Sequence, residues 1–460
     1  MAIAYSVNEN SPGHDIQPGR KYLLTANAVA ALGGLLFGFD TAVISGTLSF
    51  IEPYFNLSEV ALGWAVSSIL LGCAIGAMIS GKSSERYGRK ISLIFCALLF
   101  SVTAIATGFS YRFDLFVACR ILGGVAVGMA AVISPMYISE ISPAHLRGRL
   151  VSLYQLAITL GILIAFMSNY LLSGTGEDAW RWMFSVQAIP AMLFFVALFV
   201  VPESPRWLVS KGRMDEAKQV LTKTGGAVYA EKELESIQQS FQSNEHRVNL
   251  SMLLDKKFIL PVVLGLLVAV FSQITGYNSL LYYAPMIFKN AGLETGDALF
   301  QTLAIGLINC VFTFVAIFTI DKIGRRILLL SGSLLMTICW VLIAFTFNLQ
   351  SEGYLLLGII LVFCSVYAAT IGPVTWTYIA EIYPNSIRAM GISVATLFLW
   401  IACFITSFTF PVLVKAAGEP ITFLIYGALC LIYFVFIFFR LPETKGKRLE
   451  ALEQELSRKS

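Results

Sequence analysis

The sequence predicts an all-α integral membrane protein: twelve transmembrane helices in two pseudo-symmetric six-helix halves, with a short helical cytoplasmic linker between them. Three observations carry that expectation. The 460 residues are 57% hydrophobic and 13% charged, with a mean hydropathy of +0.76, outside the range of a soluble globular chain. Apolar runs of about 20 residues recur throughout, each enough to cross a bilayer as a helix. Three short signatures also occur twice, in the same order and at nearly one spacing.

Spans are expected near 22–48, 60–81, 91–109, 113–138, 149–172, 182–201, 257–288, 298–320, 327–348, 353–378, 387–412 and 421–439. The chain therefore divides into a cytoplasmic N-terminal segment (1–21), a first half (22–202), a cytoplasmic linker (203–256), a second half (257–440) and a cytoplasmic tail (441–460). The N-terminal segment carries no cleavable signal, because the small-residue stretch Ala26-Asn27-Ala28 precedes the apolar run rather than following it. All eight cysteines fall inside apolar spans and read as small packing residues, not as a disulfide framework or metal site. His14, His145 and His246 lie outside the expected spans, so no histidine proton relay is available in the bilayer core.

The repeats define the halves. Glu85-Arg86-Tyr87-Gly88-Arg89-Lys90 returns as Asp321-Lys322-Ile323-Gly324-Arg325-Arg326 (321 − 85 = 236). Glu140-Ile141-Ser142-Pro143, with Arg147 following, returns as Glu381-Ile382-Tyr383-Pro384 with Arg388 (381 − 140 = 241), and Pro202-Glu203-Ser204 returns as Pro442-Glu443-Thr444 (442 − 202 = 240). Three matches at nearly one offset imply a duplication, and an even helix number gives both copies one orientation. The polar stretch between them contains two amphipathic helices, 213–224 and 231–241, separated at Thr224-Gly225-Gly226.

The short loops set orientation. One side carries ten basic residues (Lys82, Arg86, Arg89, Lys90, Arg147, Arg149, Lys322, Arg325, Arg326 and Arg388) and the other four (Arg112, Arg181, Lys289 and Lys415). The positive-inside rule puts the first side and both termini in the cytoplasm. Asn56-Leu57-Ser58 would then be an external glycosylation sequon, meaningful only in a eukaryotic secretory host. Acids recur with these bases in both halves. Glu85, Arg86, Arg89, Glu140 and Arg147, with Asp321, Arg325, Glu381 and Arg388, are expected to form a cytoplasmic gate. Its salt bridges would latch that side shut and break when it opens.

One residue violates the membrane's preferences openly. Asp40 sits inside the glycine-rich run Leu32–Gly46, where a charge costs about 2.5–3.5 kcal/mol on insertion scales. It lies about eight residues from an outer helix end near Leu48, while Arg120 lies about seven below the outer start of helix 4 near Phe113. A buried pair at matched depth is the economical inference. Such a pair can be a permanent strut between helices 1 and 4. It can equally be a carboxylate that gains and loses a proton while Arg120 holds and releases it.

The motifs resemble one known group, the sugar porter family of the major facilitator superfamily. Arg120-Ile121-Leu122-Gly123-Gly124 running to Pro135-Met136-Tyr137-Ile138-Ser139-Glu140, then Arg147-Gly148, is similar to that family's signature across helix 4. Pro202-Glu203-Ser204-Pro205-Arg206-Trp207, Gly372-Pro373-Val374-Thr375-Trp376 and Pro442-Glu443-Thr444-Lys445-Gly446 match the signatures after helix 6, in helix 10 and after helix 12. The resemblance runs from about residue 22 to 446. It implies the major facilitator fold and a secondary transporter that works by alternating access, with an Asp–Arg pair as the proton-coupling site in its symporters.

A sugar site needs amides and aromatic surface. Gln155, Gln273, Asn278 and Asn309 are amides inside spans, each open to reading as an interhelical hydrogen bond or as a sugar contact. Gln273-Ile274-Thr275-Gly276-Tyr277-Asn278 resembles part of the family's Gln-Gln-x-x-Gly-x-Asn motif, and Gly276 could loosen the helix beside a cavity. Trp376 resembles the tryptophan that stacks on bound sugar, and Phe37, Tyr282, Tyr283 and Trp400 are the expected aromatic rim. Ser272 replaces the first Gln of the motif, Ile162 and Leu399 stand where xylose-carrying members have glutamines, and Cys403 stands where relatives often have Asn.

No Walker loop, zinc spacing or nucleophile elbow occurs, which removes support for ATP-driven pumping and intramembrane hydrolysis. The expectation is therefore a non-enzymatic, cofactor-free, monomeric carrier in the cell membrane, surrounded by lipid and without a nucleic-acid partner. It would move a monosaccharide inward with protons. An uncoupled sugar uniporter is the nearest alternative, and a non-transporting sugar sensor a more distant one.

Overall fold

The computed structural model describes residues 19–242, 250–255, 258–348, 353–384 and 387–445. Most of the expected terminal segments, 1–21 and 441–460, lies outside these residues, as does the Asp321 side chain. Among the described residues the chain is helical, without strands.

The first half comprises α1 (Gly19–Phe55), α2 (Glu59–Tyr87), α3 (Arg89–Gly108), α4 (Phe113–Ile141), α5 (Ala144–Leu172) and a sixth span made of α6 (Ala179–Ser185) and α7 (Ala188–Ala197). Three linker helices follow: α8 (Pro205–Ser210), α9 (Met214–Gly225) and α10 (Ala227–Gln242). The second half opens with a broken span, α11 (Ile259–Ile274) and α12 (Tyr277–Asn290), then α13 (Thr295–Ile323) and α14 (Arg325–Asn348). A second broken span, α15 (Gly353–Ala369) and α16 (Ile371–Ile382), precedes α17 (Arg388–Ala417) and α18 (Glu419–Arg440). Among the described residues, twelve helices or helix pairs are long and apolar enough to cross a membrane.

Local chemistry explains the boundaries. Ser58 caps α2 by accepting the Ala61 N–H at 3.3 Å, with Glu59 in the positive first turn. The duplicated glycines, Gly88 at φ +99° and Gly324 at φ +103°, turn the chain between α2 and α3 and between α13 and α14. The linker helices match expectation to within a few residues at most ends, with Gly226 (φ +88°) breaking α9 from α10, although α10 starts four residues early. α8 was not foreseen. The linker rests on the first half, since Gly19 of α1 lies so close to α9 that a Cβ there would sit 2.5 Å from the Lys223 carbonyl oxygen.

Helices pack through small residues. A Cβ on Gly72 would fall onto the Ile121 carbonyl oxygen, and one on Gly124 onto that of Ile69, so the α2 and α4 backbones cross in contact. Gly38 and Gly161 bring α1 and α5 together in the same way, against Ile158 and Leu35.

Gly124→Leu is therefore expected to lower the thermal midpoint in detergent sharply, at or above the upper end of the ~1–3 kcal/mol typical of overpacking. Gly81→Ala, in the same α2 but with nothing within 4 Å, should leave the midpoint unchanged or raise it.

Candidate functional site

Asp40 and Arg120 meet. The Arg120 Nη1 donates to Asp40 Oδ1 at 2.6 Å, and the two residues are 4% and 2% exposed. Helix α1 continues past Leu48 to Phe55, so Asp40 stands deeper than its expected eight residues from the end, yet the pairing holds. The guanidinium carbon also lies 5.5 Å from the centre of the Phe184 ring. Arg120 Nε and Nη2 find no protein acceptor among the described residues, and neither does the Gln187 Oε1 find a donor. Both groups line a cavity of about 10 Å³ together with Asp40, Thr103, Thr107 and Phe184. That is room for about one water molecule. Gln187 sits in the break between α6 and α7 and was missed, although an amide in an apolar span was the signal used elsewhere.

The amides of the second half form a chain. Asn278 Nδ2 donates to Gln273 Oε1 at 2.6 Å and approaches Cys403 Sγ at 3.3 Å, while Gln273 Nε2 donates to Ser272 Oγ at 3.1 Å. Asn309 is buried on α13 beside the Tyr277 hydroxyl, whose ring stacks on Tyr367 with centroids 3.6 Å apart. Gln155 is half-buried on α5. Trp376 stands 43% exposed on α16. Phe37 and Trp400 meet edge to face at 5.7 Å across the two halves. Tyr283 is a correction: its ring stacks on Phe410 at 4.8 Å and its hydroxyl donates to the Ser407 carbonyl, so it packs into α17. Its neighbour Tyr282, about 100° round the helix, lies beside Cys403 instead.

The expected gate residues pair inside each half. Arg89 clamps Glu140 with two bonds of 2.8 Å, and Arg325 pairs with Glu381 at 2.9 Å; both pairs lie within one half. Each glutamate also takes a hydroxyl, from Ser204 on Glu140 and from Thr444 on Glu381 at 2.6 Å. A second acid caps the next helix start in each copy: Glu203 accepts the Arg89 and Lys90 N–H groups, and Glu443 those of Arg325 and Arg326. Burial raises the Glu203 carboxyl above its usual range against the pull of these donors. Glu85, Arg86 and Arg147 are exposed, and Arg388 bonds the Tyr383 carbonyl at 3.2 Å. The Arg89–Glu140 and Arg325–Glu381 pairs clasp helices inside each half.

Among the described residues, several contacts join the halves toward the end away from the linker. Glu59 pairs with Lys415 at 3.1 Å, Trp64 meets Phe404 and Phe408 edge to face at 5.6 and 5.8 Å, and Tyr170 packs on Phe300 at 5.6 Å.

A family model described as "Sugar (and other) transporter" matches residues 26–456. The chain belongs to that family. It is 38% identical to the D-xylose-proton symporter of Escherichia coli strain K12, covering 95% of this chain and 96% of the relative. Identity to the arabinose-proton symporter of Bacillus subtilis strain 168 is also 38%, over 94% and 95% of the two chains. The partially occluded, inward-open xylose transporter of E. coli superposes with a TM-score of 0.84 at 36% identity, covering 93% of this chain and all of that one. The major facilitator architecture expected of the family member is thus the one observed.

Glu140→Ala would strand the buried Arg89, and is expected to cost about 3–5 kcal/mol, read as a large fall in thermal midpoint. Glu85→Ala, at an exposed side chain, should change it little.

Proposed function

We propose that this protein is a proton-coupled monosaccharide symporter of the cell membrane, with the linker side and both termini in the cytoplasm. The observation that carries the coupling is the 2.6 Å contact between Asp40 and Arg120, an ion pair shut inside an apolar bundle. The proton symporters among its relatives support the same reading. The basic side chains flanking the linker side support the orientation.

The residues divide the work. Asp40 in its charged form holds Arg120, and the pair fixes α1 against α4. Protonation removes the carboxylate's charge and turns a short charge-assisted bond into a neutral one, roughly half as strong. Arg120 then shares its freed N–H groups with the small polar cavity at Gln187, and α1 can shift against the second half, which it touches through Phe37 and Trp400. Gln273, Asn278, Asn309 and Gln155 offer donors and acceptors to sugar hydroxyls, while Trp376 offers a flat apolar face to the ring. Opening the outer end requires the Glu59–Lys415 pair and the Trp64 contacts to part.

In proteoliposomes, an inward proton gradient is expected to drive accumulation of labelled sugar by the parent protein. Asp40→Asn should abolish accumulation while sugar exchange at equal concentrations persists. Accumulation by the variant equal to the parent's would refute coupling at this pair, whereas failure of the parent itself to accumulate sugar would leave an uncoupled uniporter.

A further inference from the structure

Resting on the sugar-site reading, a distant side chain governs its geometry. Gln273 and Asn278 are five positions apart, and in an unbroken helix five residues turn through about 500°, which leaves their side chains about 140° apart and unable to touch. They nevertheless bond at 2.6 Å. The chain achieves this at Gly276, whose left-handed φ of +81° separates α11 from α12. Such a break leaves helix-end carbonyls without partners in their own helix, and within a membrane each must find another.

The Thr275 carbonyl finds Trp340. The indole Nε1–H of Trp340, on α14, donates to it at 2.8 Å, with the Cys430 thiol behind at 3.6 Å. Trp340 is fully buried and wedged among Phe423, Tyr426 and Phe363, with centroids 5.4, 5.5 and 4.7 Å away. The same ring closes over the glycine, since a Cβ on Gly276 would lie 3.0 Å from Trp340 Cζ2 and 2.7 Å from Tyr426 Cδ1. We propose that Trp340 is a positioning residue for sugar binding: its N–H holds the Gly276 break open, and the break brings Gln273 and Asn278 together as one amide clamp.

Trp340→Phe keeps an aromatic ring but removes the donor. Sugar affinity, read as KM for uptake and as Kd by titration calorimetry, is expected to weaken about tenfold, in line with one buried hydrogen bond lost. The pH profile of accumulation should stay where it is, because the Asp40–Arg120 pair is untouched. Benzothienylalanine at position 340, an isostere without the N–H, should reproduce the loss and serves if the Phe variant does not fold. Phe423→Leu, which loosens the ring packing but leaves the donor, should lower the thermal midpoint without the tenfold rise in KM. Unchanged KM and Kd in the isostere overturn the proposal. If Gln273→Ala and Asn278→Ala also leave KM unchanged, the sugar-site assignment fails instead.

Discussion

A carboxylate enclosed by apolar helices must be answered by a neighbouring cation or by a proton, and Asp40 can have either. With Arg120 at hydrogen-bond distance, the ionised form is tolerable; with a proton, the charge disappears. Either solution alone would make an ordinary strut. Having both available makes the contact conditional, and the helices that carry it inherit that condition. The packing around it is correspondingly tight: α1 crosses α5, and α2 crosses α4, at glycines where the backbones touch. A change at Asp40 is therefore passed on through backbone contact and not through yielding side chains.

The second constraint is that backbone polar groups inside a bilayer cannot go unpaired. Most of the chain meets it by remaining helical. The broken spans sit in the second half near Gly276 and Thr370, and in the first half near Gln187, and each places polar side chains beside non-helical backbone. At each break the glycine or polar residue named is itself buried.

Much of this was legible beforehand. Hydropathy located the spans, because bilayer thickness imposes a length on each. Depth counting matched Asp40 to Arg120 even though α1 proved seven residues longer than the apolar run ending near Leu48. The helices of the linker and the duplicated motifs were readable from spacing. What escaped was direction in three dimensions. Tyr282 and Tyr283 are adjacent letters, but a helix points them apart, and only one lies toward Cys403. The arginines and glutamates of the repeated motifs were rightly paired, yet a string of residues does not say whether a bridge spans two bodies or stiffens one. Glu203 and Glu443 were visible within repeated motifs, but their role as caps on distant helix starts depends on tertiary approach across more than a hundred residues.

The duplication left an asymmetry. At offsets of 236 to 241, Asp40 corresponds to a stretch between residues 276 and 281 and Arg120 to one between 356 and 361, and neither stretch contains a charged residue. The copy that kept the ion pair is not the copy that holds Gln273, Asn278, Asn309 and Trp376. On the proposed reading the first copy carries the proton-coupling pair and, through Gln155, a minor share of the sugar site, while the second copy carries most of the sugar contacts. Such a separation lets cargo preference drift, or be redesigned, by altering the second copy while the drive train is inherited intact.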